Sequence, residues 1–524
     1  MTKPSPPSSS ASSSAAPDAP PSGDPSVDDA VGQRTDASFG TAAFWSYLMD
    51  GSRVITSLVV TLILASLLDA SIFGTATWAI VFVLLIRLVL QNGMVAAIIQ
   101  REELEDRHLV AGFWMVVAVA AVLTVATWFV APLVADATDD PALTDVLRAL
   151  AALVPIGALG VLPEAIQRRR MEFRPLAIRT TTGVVLGSVV AVILAYSGAG
   201  VWSLVAQQLV TESVALVLLW VITDWRPRRR PQRAAVLDLF PFWASMCAAA
   251  MGSFMRWRAD TLLIAFFVPN ATVGLYRFAS RFPETWSEVS VRSLQNVALP
   301  ELARYQNDRA IFRERVIAVI RLSAMISIPA LGVLAGLSEP LIDLVGVDKW
   351  GDANIGLKII AGATAVKALT FFSAPVLQAL GRTGLLAALT WFHAAVSVGV
   401  FVGVGKAFED AAANDQVDGI ALGRLGVLVF AALVDVAVVS RVVGVSVPAV
   451  VGAILPSGIA AGVAFVVTTV IVRLVDALPA ILTLGAGGAV GGLAMVAALL
   501  TVESQARDFA AKAPVVGKYF AVRS

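Results

Sequence analysis

Apolar residues run in blocks of about 20 or more along most of the chain, the length of α-helix that crosses roughly 30 Å of hydrocarbon at 1.5 Å per residue. Fourteen such blocks are legible, at about 42–67, 74–99, 109–134, 143–166, 175–197, 200–222, 239–267, 271–299, 312–337, 354–380, 383–405, 418–441, 448–473 and 479–502. The pattern predicts an all-α membrane protein of about 14 transmembrane helices. Only the eighth block departs from it, because it carries Arg277, Arg281, Glu284, Glu288 and Arg292 and a hydropathy window alone rejects it. Before the first block, residues 1–38 are rich in Pro, Ser, Ala and Asp, with too few large apolar side chains to offset the entropy of ordering them. They are expected to form a disordered cytoplasmic tail, with residues 503–524 as a second tail.

The breaks between blocks supply an orientation. With the eighth block counted, the even-numbered breaks hold Arg101, Arg107, the run Arg168 to Arg170, Arg174, the cluster Arg226 to Arg233, Arg304, Arg309, Arg382 and Arg441. The odd-numbered breaks offer Lys349 and Lys406 as their basic residues and collect Asp69, Asp136, Asp139, Asp140, Asp348, Asp352, Glu409, Asp410, Asp415 and Asp418 instead. Lys and Arg are retained on the cytoplasmic side, so both termini are expected inside. Omitting the eighth block inverts every later break and destroys the pattern.

Composition agrees: 57% of residues are hydrophobic and 15% charged, with a mean hydropathy of +0.79, which excludes a water-soluble globule of ordinary make-up. A net charge of +1 provides no bulk attraction to nucleic acid, and none is expected as a partner. One Cys and two His argue against a disulfide framework or a Cys/His metal centre. There is no GxxxxGK[ST] signature, so no nucleotide cofactor is expected, nor enzymatic chemistry.

An internal repeat is also legible. A displacement of 200 residues aligns ILASLLDASIFGTATWA (63–79) with LIAFFVPNATVGLYRFA (263–279), matching Ala65 to Ala265, Gly74 to Gly274 and Ala79 to Ala279. Six blocks separate the copies, so both run in the same direction. That predicts two six-helix lobes, residues 39–223 and 224–447, related by an axis along the membrane normal, with two further helices in 448–502.

Ionisable side chains at bilayer depth cost on the order of 2.5–3.5 kcal/mol each by insertion scales and generally face a cavity or a partner. Here they concentrate in the repeat-related blocks: Asp50 and Arg53 in the first, Arg87 in the second, Arg256, Arg258 and Asp260 in the seventh, and the five of the eighth. Those five occupy a sector of about 80° on a helix. Within it Arg281 is placed to meet Glu284 and Glu288 to meet Arg292, leaving Arg277 over. The first block's charges cancel and the second, seventh and eighth each leave one positive charge, about +3 in all. Such a cavity suits a polyanion, and guanidinium grips phosphate in a fork without deprotonating. Other readings stand beside this one: internal pairing that binds the lobes together, an interfacial position for the eighth block, and a snorkelling or interhelical role for Arg87. Asp50, Asp260, Glu284 and Glu288 are candidates for ion coupling, with structural pairing as the competing role. The basic runs 168–174 and 224–233 read either as a phosphate patch or as anchors on anionic headgroups of membrane lipids.

Several segments in order, LLDASIFGTATWA, PEAIQRRRMEFRPLA, GAGVWSLVAQQLVTE followed by DWRPRRR, ADTLLIAFFVPNATVGLYRFASRFPE and ALPELARYQND, resemble bacterial polysaccharide-transport proteins of the oligosaccharide flippase type, within the multidrug/oligosaccharidyl-lipid/polysaccharide exporter superfamily. The resemblance covers about residues 40–500 and departs at Ala303, where relatives more often have Ser. It implies two facing bundles in the bacterial cytoplasmic membrane, alternating access, and movement of an undecaprenyl-diphosphate-linked oligosaccharide to the outer leaflet for polysaccharide export. It places Arg53, Arg87, Arg256, Arg258, Arg277 and Arg281 against the diphosphate and sugar. Other polysaccharide-assembly proteins are conceivable partners. The alternatives are a multidrug or cation antiporter, which calls for surplus carboxylates, and a glycan-assembly protein, either a polymerase with a substantial external loop or a scaffold indifferent to its cavity.

Overall fold

The computed structural model describes residues 56–100, 104–170 and 172–502. Among them the helices are α1 (Thr56–Leu67), α2 (Ala70–Gln100), α3 (Asp106–Ala137), α4 (Ala142–Arg169), α5 (Phe173–Tyr196), α6 (Val201–Ile222), α7 (Arg233–Ile264), α8 (Asn270–Arg304), α9 (Arg309–Gly336), α10 (Val347–Ala379), α11 (Thr383–Ala407), α12 (Ala413–Val443), α13 (Val447–Leu474) and α14 (Ala480–Val502). Twelve of these are both long and apolar enough to cross a membrane, and the count of fourteen is not reached by that measure. The difference has two sources. Of the first expected block only α1 lies within the described residues, and α8, although 35 residues long, carries too much charge. Both tails and the candidates Asp50 and Arg53 lie outside the described residues.

Local chemistry sets the helix ends. Asp308 caps α9 by accepting from the backbone N–H groups of Ala310 and Ile311 at 3.0 and 3.2 Å. Gly444 ends α12 in a left-handed conformation (φ 79°), and Pro448 follows at the start of α13. α10 is not continuous: its long segment Asn354–Lys367 gives way to a 3₁₀ turn, Ala368–Thr370, before helix resumes at Ser373. Large apolar side chains such as Val122, Phe129, Leu133, Ile193 and Leu493 stay exposed on the outer faces of α3, α5 and α14, as lipid contact requires.

The repeat-related helices α2 and α8 cross at Gly74 and Gly274. A Cβ on Gly74 would lie 2.6 Å from the Asn270 carbonyl carbon, and one on Gly274 would lie 2.7 Å from that of Ala70. Each contact becomes the other under the displacement of 200 residues, so the crossing is reciprocal, and any side chain at either glycine would force the helices apart. Around it, Asp140 accepts from Thr75 Oγ1 and Asn270 Nδ2 at 2.7 Å each, Lys349 pairs with Asp69 at 3.0 Å, and Trp350 donates from Nε1 to the Ala65 carbonyl at 2.9 Å. The Trp350 indole lies against Phe73 and Phe278. These bridges close one end of the seam between α1–α4 and α8–α10. One further bridge, from Arg281 to Ser57 of α1, lies deeper along it.

Candidate functional site

The charged residues of α7 and α8 meet a residue from α12, about 9 to 21 Å along α8 from the closed end if counted from Asn270 to Tyr276 and Glu284 at 1.5 Å per residue. On α7, Arg256 and Asp260 lie about 40° apart and Arg258 about 160° from Asp260, so the three side chains leave the helix towards different neighbours. Arg258 donates to Glu284 Oε2 at 2.7 Å, and Arg277 stands 3.5 Å from the same oxygen. Arg424, from α12, donates to Glu284 Oε1 at 2.7 Å and to Asp260 Oδ2 at 3.0 Å. Tyr276 donates its hydroxyl to Asp260 Oδ2 at 2.5 Å and accepts from Arg424 at 3.1 Å. One carboxylate thus receives three guanidinium groups, and the innermost of these is fixed from behind by an acid and a phenol.

The expected pairing within α8 is not the one formed. Glu284 turns to α7, α12 and Arg277 rather than to Arg281, which donates to Ser57 instead. A buried carboxylate gains more from several donors than from one neighbour on its own helix. Arg277, expected to be left over, is bound. Glu288, its side chain 41% exposed, lies 4.0 Å from Arg258 on the open side of the cluster. The side chain of Arg292 falls outside the described residues.

Arg256 turns to Asp435 of α12 at 3.1 Å, and Asp435 also accepts from Ser373 at 3.2 Å. Lys367, at the break in α10, sits over the Trp257 ring at 4.6 Å and meets no carboxylate within ion-pair distance among the described residues. A small cavity of about 20 Å³ is lined by Arg256, Asp260, Lys367 and Arg424 together with Trp257 and Val427. Among the described residues, six cationic side chains (Arg256, Arg258, Arg277, Arg281, Lys367, Arg424) share this region with four acids (Asp260, Glu284, Glu288, Asp435), which leaves two positive charges.

Arg87 has partners of its own. It pairs with Glu212 of α6 at 2.8 Å and packs against Gly157 of α4, so its charge is neutralised among the first six helices. Arg424 is the residue that sequence reasoning missed. It lies in the apolar run GIALGRLGVLVF at bilayer depth, and the rule that singled out Arg256 and Arg258 applies to it equally.

A family model described as "Polysaccharide biosynthesis protein" matches residues 63–354. The succinoglycan biosynthesis transport protein ExoT of Rhizobium meliloti is 26% identical over 346 residues, 65% of this chain and 69% of that one. Among solved structures, the lipid II flippase MurJ in an inward closed conformation superposes with a TM-score of 0.70 at 13% identity, covering 89% of this chain and 99% of its own. An inward-facing multidrug resistance MATE family transporter of the MOP superfamily gives 0.60 at 14% identity, covering 75% and 96%. At these identities the two structures establish a shared all-α transporter fold.

Proposed function

The chain belongs to the polysaccharide biosynthesis protein family, and from that premise we propose that it is a flippase for a lipid-linked oligosaccharide, carrying an undecaprenyl-diphosphate-linked glycan across the bacterial cytoplasmic membrane without covalent chemistry. A diphosphate with its glycan cannot cross hydrocarbon unaided, because burying unpaired charge and many hydroxyls costs far more than thermal energy. The observation that carries the reading is the cationic cluster of α7, α8 and α12, with its two surplus positive charges among the described residues. In this reading the polyprenyl tail stays in lipid while Arg258, Arg277 and Arg281 receive the diphosphate. The lobes 39–223 and 224–447 rock about the crossing of α2 and α8, whose closed end faces outside, and both termini are cytoplasmic. A cation antiporter is disfavoured by the sign of the surplus.

The test is reconstitution in liposomes with a labelled undecaprenyl-diphosphate oligosaccharide, reading head-group access from each face. Arg258→Ala and Arg281→Ala are each expected to slow translocation about tenfold or more, the equivalent of one charge-assisted hydrogen bond. Unchanged rates in both variants defeat the reading, and no translocation by wild type is the result that a scaffold predicts.

A further inference from the structure

Glu284 sits where an anion belongs. Its two oxygens are divided: Oε1 faces Arg424, whose side chain is only 8% exposed and is locked by Asp260 and Tyr276, while Oε2 faces Arg258 and Arg277. Arg258 is the more accessible of the two, with its side chain 23% exposed, and its second Nη reaches towards the half-open Glu288. Asp260 balances Arg424, which leaves the Oε2 of Glu284 to hold both Arg258 and Arg277, with the half-open Glu288 only at 4.0 Å from the first. Stability alone is a weak reason for such a site, since a buried ion pair barely recovers its desolvation even when evenly matched. The arrangement is a good match for a site that must hold cations together while its ligand is absent.

We propose, resting on the diphosphate reading above, that Glu284 is a resident counter-anion occupying the phosphate position of the empty carrier. Loading replaces its Oε2 contacts with diphosphate oxygens. In that exchange Oε1 keeps its bond to Arg424, so the carboxylate never becomes a buried unpaired charge. Arg258 and Arg277 are released together, two positive charges for the two negative charges of a diphosphate diester. Reversal of the exchange expels the ligand: when the helices shift and weaken the grip, the tethered carboxylate is already within reach to retake the two arginines. Glu284 is therefore a positioning residue that trades affinity for release.

The experiment uses purified full-length protein and inorganic pyrophosphate as the probe, with calorimetric binding alongside the liposome assay. Glu284→Gln keeps the size of the side chain and removes the competing charge. It is expected to bind pyrophosphate about tenfold tighter or more, one charge-assisted contact, while translocating more slowly. Glu284→Asp, one methylene too short to span Arg424 and Arg258, is expected to fall between wild type and Glu284→Gln in affinity. Equal or weaker binding in Glu284→Gln, while Arg258→Ala lowers wild-type affinity, overturns the exchange and leaves the diphosphate reading standing. No pyrophosphate binding by wild type, together with full translocation by Arg258→Ala, overturns both. Independently of how the variants fold, pyrophosphate added to wild type should shift a carboxylate stretch in the infrared difference spectrum. Measurable binding without that shift rejects the exchange.

Discussion

The two copies of the repeat share a scaffold and differ in chemistry. Gly74 and Gly274 make the same contact in exchanged roles, and Ala65 and Ala79 recur as Ala265 and Ala279, all four alanines buried. At the same displacement, Arg277, Arg281, Glu284 and Glu288 of α8 stand opposite Thr77, Val81, Leu84 and Leu88 of α2. Arg256, Arg258 and Asp260 of α7 likewise stand opposite Thr56, Leu58 and Val60 of α1. The small residues that set helix approach are common to both copies because a side chain there has nowhere to go. The charged network is confined to one copy because its cost must be met only where an anion is handled. Among the described residues of the other copy, Arg87 is cancelled by Glu212, and Glu164 pairs with Arg168 and Arg179.

Removing the centre of each network should break the two copies differently. Arg424→Met strands Asp260 and leaves Glu284 to Arg258 and Arg277, and removing one side of a buried ion pair costs about 3–5 kcal/mol. Thermal unfolding in detergent should show that loss, and a cost below about 1 kcal/mol would mean that Arg258 and Arg277 hold the acids unaided. In the first copy, Arg87→Met strands only Glu212, whose side chain is 30% exposed, so a smaller loss of about 1–3 kcal/mol is expected. There the double variant Arg87→Met/Glu212→Met should recover most of the stability, because an isolated pair replaced by apolar groups of similar volume is often neutral. Failure of that rescue would give Arg87 a partner beyond Glu212.

The scaffold should break symmetrically. Gly74→Ala and Gly274→Ala each press a methyl onto the opposite backbone, and overpacking of this kind costs about 1–3 kcal/mol. Since the contact is reciprocal, the two costs should agree closely. The double variant should cost less than their sum, because helices already parted by one methyl accommodate the second. Strict additivity, measured by the same unfolding assay, would show that the two glycines do not share one crossing.

What the chain disclosed in advance follows the same division. The all-α membrane fold, the charged face of α8 and the Gly74–Gly274 correspondence are all periodic or local features, and they can be read without knowing how helices pack. Which carboxylate meets which guanidinium depends on the rotation of α7, α8 and α12 about their axes, which no spacing along one helix encodes. For that reason the spacing on α8 points Glu284 to Arg281 at i−3, whereas its partners lie on two other helices as well as at Arg277. Arg424 was open to discovery by depth alone, whereas the aromatic seat of Lys367 on Trp257 needed the break in α10 to bring them together.

The smallest effect expected lies outside the membrane and shows what an ion pair contributes when it stands alone. Glu339, in the short helix Ser338–Val345 between α9 and α10, accepts from Lys358 at 3.0 Å, and that hydrogen bond holds its carboxyl below the ordinary value of 4.5. A carboxyl depressed in the folded state adds stability above its unfolded pKa and loses it as the pH falls through the folded value. Its side chain is 41% exposed, so solvent screening limits the contribution to at most about 1 kcal/mol. Lys358→Met should therefore lower the melting temperature slightly and by a constant amount above pH 4.5, and the gap to wild type should close as the pH falls below it. A gap that stayed constant into acid would assign the loss to packing of the Lys358 stem instead of to its charge.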